Sequence, residues 1–128
     1  MSFAHAAVWS LLTDAPSDSV LEARLARLDD EVLAEVGAAV IDLRTELVDA
    51  LIVGGLADDA SEDVLDDLAG MLLREGERPY AAYLRSERPL PRREAWGGAA
   101  QQSMVPLVSR VVHERLGRSL LDLFDARV

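Results

Sequence analysis

The stretch from Asp29 to Val53, DDEVLAEVGAAVIDLRTELVDALIV, decides the fold. Val32 or Leu33, Val36, Val40, Leu43, Leu47 and Leu51 recur in it at spacings of three and four. On a helix of ~3.6 residues per turn, that spacing gathers them on one side. No run of alternating apolar and polar β-branched residues competes for the same segment. Gly54-Gly55 follows, and glycine accepts the left-handed backbone common just past a helix end. A helix this long and this apolar on one side must be covered by other elements, so it is expected to be the central helix of an all-α domain.

Helical periodicity continues on both flanks. Upstream, Phe3 to Thr13 places Ala4, Ala7, Val8, Leu11 and Leu12 together, and Asp14-Ala15-Pro16-Ser17-Asp18 breaks the pattern. Ser19 and Glu22 have capping-box spacing for a second helix carrying Leu21, Leu25 and Leu28. Downstream, Asp59 with Glu62, or Ser61 alone, can start a helix carrying Val64, Leu65, Leu68, Met71, Leu72 and Leu73 before Gly76. Pro79 fits the first turn of the next, since the amide it lacks would be unpaired there. Pro89-Leu90-Pro91 interrupts, and a weaker helical pattern spans Arg92 to Gln102 across Gly97-Gly98. Val105, Val108, Val112 and Leu116 mark a helix from Ser103 that stops at Gly117, and Ser119 caps a final turn through Leu120, Leu121 and Phe124. The expectation is a single domain over 1–128 of about six to eight helices, with no repeat and no internal linker.

A chain of 128 residues buries roughly two-thirds of the surface its unfolded form exposes, enough for one core without disulfides or metal. Cysteine is absent, which excludes zinc ribbons, iron-sulfur clusters and thiol nucleophiles and suits a reducing cytoplasm. Met1 to His5 lacks the basic and apolar segments of a secretory leader. No apolar run approaches the ~20 residues of a bilayer span. A membrane partner and a bound cofactor are therefore not expected.

The net charge of -10 is unevenly spread. Residues 1–77 hold eighteen acids against four arginines, and residues 78–128 hold five acids against nine arginines, so the halves carry -14 and +4. Every basic residue is arginine, a usage attributable to codon bias. The acidic half repels phosphate and disfavours nucleic acid as the main partner. The few aromatic residues are dispersed and offer no stacking platform for single strands.

Asp58, Asp59, Glu62, Asp63, Asp66 and Asp67 form the most chemical-looking cluster. Carboxylates three or four residues apart share a helix face, and hard cations accept such ligands. Glu46-x-x-Asp49 on one helix and Asp63-x-x-Asp66 on the next resemble the paired acidic motifs of the all-α nucleoside-triphosphate pyrophosphatases. That resemblance implies magnesium held by Glu46, Asp49, Asp63 and Asp66. The plain alternative is that the acids cap a helix and complement its positive end. An EF-hand loop fails for want of a central glycine and a correctly placed glutamate. Glu-x-x-His pairs, a Gly-x-Ser-x-Gly elbow and a phosphate loop are all missing. His113, beside Glu114, is expected to be a surface or satisfied boundary histidine rather than a catalyst. Arg74, Arg78, Arg85, Arg88, Arg92 and Arg93 form a basic stretch that Glu75, Glu77, Glu87 and Glu94 neutralise, through pairs such as Arg74 with Glu77 or Arg78 with Glu75. Trp96 is either an interface anchor or a core plug.

Residues 3–84 resemble an uncharacterised bacterial family, domain of unknown function 4240. The likeness lies in Phe3 with Trp9-Ser10-Leu11-Leu12, then Ser61-Glu62-Asp63, Leu65, Leu68, Met71-Leu72-Leu73, Gly76 and Tyr80. Ala69 and Met71 stand where that family tends to have arginine and tryptophan. The resemblance implies an all-helical fold and carries no activity.

Charge and composition together point to a non-enzymatic binding or regulatory protein. Its acidic first half, through Asp58, Asp59, Glu62, Asp63, Asp66 and Asp67 and with Trp96 of the second half as a further contact, would engage a basic protein in an immunity-like or inhibitor-like role. Magnesium-dependent nucleotide pyrophosphohydrolysis is the catalytic alternative. Self-association through Trp96 and exposed leucines is the third.

Overall fold

Four helix starts fall where a short side chain accepts a backbone amide, at Ser17, Asp29, Ser61 and Ser119. The computed structural model describes residues 3–14 and 17–126. Among them are eight α-helices, two short 3-10 turns and no strand. The helices are α1 (Phe3–Leu12), α2 (Asp18–Ala26), α3 (Asp30–Val53), α4 (Glu62–Leu73), α5 (Glu77–Leu84), α6 (Ala99–Gln102), α7 (Val105–Leu116) and α8 (Leu120–Asp125). Met1-Ser2 and the Ala15-Pro16 part of the first break lie outside the described residues. Asp29 accepts the Val32 amide at 2.8 Å to start α3. Ser61 does the same for α4 through Val64 at 3.3 Å, and Ser119 forms a full capping box with Asp122. At α2 the cap is Ser17, which accepts from Val20. The box expected from Ser19 and Glu22 does not form: the cap lies two residues earlier as a single bond to Ser17, and Ser19 lies inside the first turn. Either start leaves Leu21 and Leu25 buried, so core burial does not discriminate between them.

The chain divides into two compact units, Met1–Leu43 with Val105–Val128, and Arg44–Met104, and α3 contributes to both. Within the first unit, α2 packs against α1 and α7. Residues 36–41 of α3 are buried without a break, so this part of the helix is covered on all sides rather than along one stripe. Gly37 makes this possible. A Cβ there would lie 3.0 Å from the side chains of Leu120 and Leu123 on α8, and 3.4 Å from Val112 on α7. His5 of α1 meets Asp42 of α3 at 2.7 Å.

Two arginines of this unit supply donors to carbonyls at helix ends. The Arg24 guanidinium donates to the carbonyls of Leu11, at 3.0 Å, and Thr13, at 2.8 Å, at the end of α1. Arg115 of α7 donates to the Leu25 carbonyl of α2 at 3.3 Å and to Asp30 of α3 at 2.7 Å. The last carbonyls of a helix carry partial negative charge and have few or no backbone donors, so a forked cation is favourably placed there.

The second unit is organised by α4, which packs against α5 and α6 and buries Leu65, Leu68, Leu72 and Leu73. The Met104 amide donates to the Gly70 carbonyl at 3.3 Å, and Arg74 reaches the Gln102 carbonyl at 3.3 Å. Gly55, at φ 96°, turns the chain out of α3. Leu90, in the proline-flanked loop, leans onto Gly54 so closely that a Cβ there would overlap its side chain, at 2.3 Å. Arg88 donates to Glu75 at 2.7 Å and to the Tyr83 hydroxyl at 3.1 Å, and that hydroxyl donates to Glu75 at 2.9 Å.

α5 ends in a Schellman motif. The Glu87 amide donates to the Ala82 carbonyl at 2.8 Å and the Ser86 amide to the Tyr83 carbonyl at 3.1 Å. Ser86 holds the left-handed position, at φ 58°, where glycine is usual. Left-handed backbone costs a side-chain-bearing residue ~1–2 kcal/mol, and glycine's extra freedom in the unfolded chain offsets part of that. Ser86→Gly should therefore stabilise the protein by ~0.5–1 kcal/mol. Urea unfolding reads this directly, and a loss of stability would show that the serine side chain contributes more than its strain.

Among the described residues, no helix is long and apolar enough to cross a membrane.

Candidate functional site

The acidic residues singled out by sequence occupy three settings within the second unit. Asp58 and Asp59 lie in the turn before α4, and Glu62 and Asp63 lie in its first turn; all four are exposed. Glu62 and Asp63 complement the positive end of α4, whose amides Ser61 begins to satisfy. Asp66 and Asp67, one turn further on, are half-buried. Arg44 of α3 approaches them, with Nε 3.8 Å from Asp66 Oδ1. That Nε is itself buried without a hydrogen-bond partner.

Burial pushes the Asp67 carboxyl above its ordinary 3.8, the charges of Asp63 and Asp66 add to the rise, and Arg44 offsets part of it. A raised pKa in the fold means that the neutral acid is the better-tolerated form. The corresponding stability is present in full below 3.8 and is lost as pH rises through the higher folded value. Asp67→Asn should therefore stabilise the protein at neutral pH by up to ~0.5 kcal/mol, since the site is largely solvated. The gain should fade below the ordinary carboxyl pKa, which melting curves at pH 7 and pH 3 compare.

Glu46 and Asp49 point elsewhere. The Tyr80 hydroxyl of α5 donates to Glu46 Oε2. Both acids line a cleft with Ala50, Val53, Leu84 and Ser86. The proposed ligand quartet of Glu46, Asp49, Asp63 and Asp66 is thus not assembled, and among the described residues no three or more His, Asp or Glu side chains are grouped to hold a metal ion. Helix geometry gives the reason. Arg44 is the α3 residue that faces Asp66, and at ~100° per residue Glu46 and Asp49 lie ~200° and ~140° around the helix from it. Spacing along each helix shows that two acids share a face, but not which face meets the neighbour.

Two arginines of the basic stretch, Arg85 and Arg88, pair with its acids, though not in the expected combinations. Glu75 is taken by Arg88, Glu87 by Arg85 at 3.2 Å, and Arg74 is directed to α6. Trp96 is half-buried, neither a plug nor a fully presented anchor. Its Nε1 donates to the Pro91 carbonyl at 3.3 Å, and the Arg93 guanidinium lies 5.9 Å from its ring centroid. His113 is exposed. The His5–Asp42 contact and the cleft at Leu84 escaped sequence inspection, because partners 37 residues apart leave no local signature.

Compared with known proteins, the chain matches no family model, no curated protein and no solved structure. The resemblance to domain of unknown function 4240 rests on the quoted residues alone.

Proposed function

We propose that the protein is a non-catalytic binding module whose acidic face takes a basic protein partner, in the manner of an immunity protein or inhibitor. The start of α4 carries this reading. Asp58, Asp59, Glu62 and Asp63 are exposed together, and among the described residues none of them is in an ion pair. Behind them Asp66 and Asp67 share Arg44. Like charges held close raise the energy of the unbound face, and a cationic surface laid over them lowers it. Trp96 joins the contact set through its exposed ring surface. The lack of cysteine supports a cytoplasmic setting.

The test begins with capture of the partner from native cells, followed by association kinetics with that partner over a salt series. The association rate should fall by about tenfold or more from low salt to ~0.15 M, as electrostatic steering is screened. Reversing charge with Asp58→Lys and Asp59→Lys together, both exposed and outside α4, should lower the low-salt rate by a similar factor, with little change in melting temperature. A rate indifferent to both salt and charge reversal sinks the proposal.

A further inference from the structure

We propose that the cleft formed by the second half of α3 and the end of α5 anchors a basic amphipathic helix of the protein partner. That helix would insert one aliphatic side chain between Val53 and Leu84 and set arginine or lysine against Glu46 and Asp49. The inference rests on the reading of a basic partner given above and adds a contact separate from the start of α4.

The cleft has a volume of about 330 Å³, near the lower bound of ~300–1,000 Å³ usual for ligand pockets. It is wide open to solvent, which suits a side chain inserted from a facing surface better than an enclosed small molecule. Its apolar wall is unusually bare. Val53 is 84% exposed and Leu84 40%, and Ile52, next to Val53, is 46% exposed. Large apolar side chains bared together on one unit mark an interaction surface rather than the scatter normal for a protein exterior.

The rim is acidic and partly fixed. Tyr80 holds Glu46 by a hydrogen bond, so that carboxylate is positioned before any partner arrives. Asp49 stands one turn further along α3 and has no ion pair among the described residues. These features select the occupant by exclusion. A phosphate-bearing ligand meets two negative charges. A purely apolar segment would desolvate both carboxylates without pairing them, and a purely cationic segment would leave Val53 and Leu84 uncovered. An amphipathic helix satisfies both demands, because residues three and four apart present an apolar anchor and its flanking cations on one face.

Two synthetic peptides of equal charge test this against the isotope-labelled protein by amide chemical shifts. One carries leucine and arginine at helical spacing, and the other carries arginine and serine. The leucine peptide should shift Glu46, Asp49, Val53, Leu84 and Ser86. The serine peptide should shift only residues at the start of α4. Leu84→Arg should weaken the leucine peptide about tenfold and leave the serine peptide within about twofold, the scale of losing one interface anchor. Asp49→Asn should weaken the leucine peptide less. Both positions are exposed, and unchanged melting would confirm that the variants remain folded. If both peptides bind only at Asp58 to Asp63, the cleft inference falls while the acidic-face proposal stands. If neither binds anywhere, both fall. Cleft shifts that grow with protein concentration in the absence of peptide would mean that a second copy of the chain fills the cleft, and that also overturns the inference.

Discussion

Exchange of Leu68 for alanine should lower the unfolding free energy by ~2–5 kcal/mol, the range for deleting a fully enclosed leucine side chain. Leu68 is 0% exposed and lies in α4, the helix on which α5 and α6 pack. Leu65, Leu72 and Leu73 around it are also buried. The loss has two parts, the transfer of the missing methyl groups and the void left where neighbours relax only partially. Urea titration with linear extrapolation measures it, and Leu68→Met is the matched control, expected to lose less than ~1.5 kcal/mol because volume is nearly kept. A loss below ~1 kcal/mol for the alanine variant would mean that α4 collapses onto the space, contrary to the close packing of native cores.

Gly37→Leu should be comparably damaging through the opposite mechanism. Leu120, Leu123 and Val112 occupy the space where a side chain would project. Even a Cβ would require these neighbours to shift, and three further carbons would push α8 off α3. Overpacking of this kind typically costs ~1–3 kcal/mol and occasionally more. Gly37→Ala separates propensity from sterics. Alanine gains up to ~1 kcal/mol of helix preference over glycine, while its methyl presses on the two leucines at 3.0 Å. The alanine variant should therefore stay near the parent stability, and the leucine variant should fall well below it. If the leucine variant melts with the parent, α8 is not fixed by this contact.

How much of this was legible in the sequence depended on how local the signal was. The stripe through Val36, Val40, Leu43, Leu47 and Leu51 is almost wholly buried, because periodicity within one helix is a local property. The caps at Ser61 and Ser119 were equally readable, since a cap and its amide lie within three residues. Two serines on either side of Asp18 offered the same chemistry, and the choice of Ser17 could not be made from spacing alone. Gly37 gave no local signal of its packing role, because the side chains it accommodates come from residues more than seventy positions later. The acidic quartet failed for a related reason. Spacings of three grouped Glu46 with Asp49 and Asp63 with Asp66, but the rotation of α3 that presents Arg44 to Asp66 is set by tertiary packing. The pairing of Arg85 and Arg88 with acids of the same stretch was foreseeable, whereas the particular partners required the fold.

The absence of lysine looked like a trace of codon usage, yet the forked geometry of arginine is what lets one side chain close a helix and meet a carboxylate together, as Arg115 does. This has a consequence for synthesis on the ribosome. The Leu25 carbonyl, which accepts the nearby Leu28 amide, gains its side-chain donor only 90 residues further along the chain, and Asp30 waits for the same guanidinium across 85 residues. By contrast, Arg24 reaches the end of α1 from only 11 to 13 residues away. The first hairpin of helices can therefore secure itself soon after it emerges, while the junction from α2 into α3 stays unfinished until nearly the whole polypeptide has been made. A chain that stalls before residue 115 would carry its N-terminal helices without that clasp, so quality control acting on nascent chains would meet the junction in its open form.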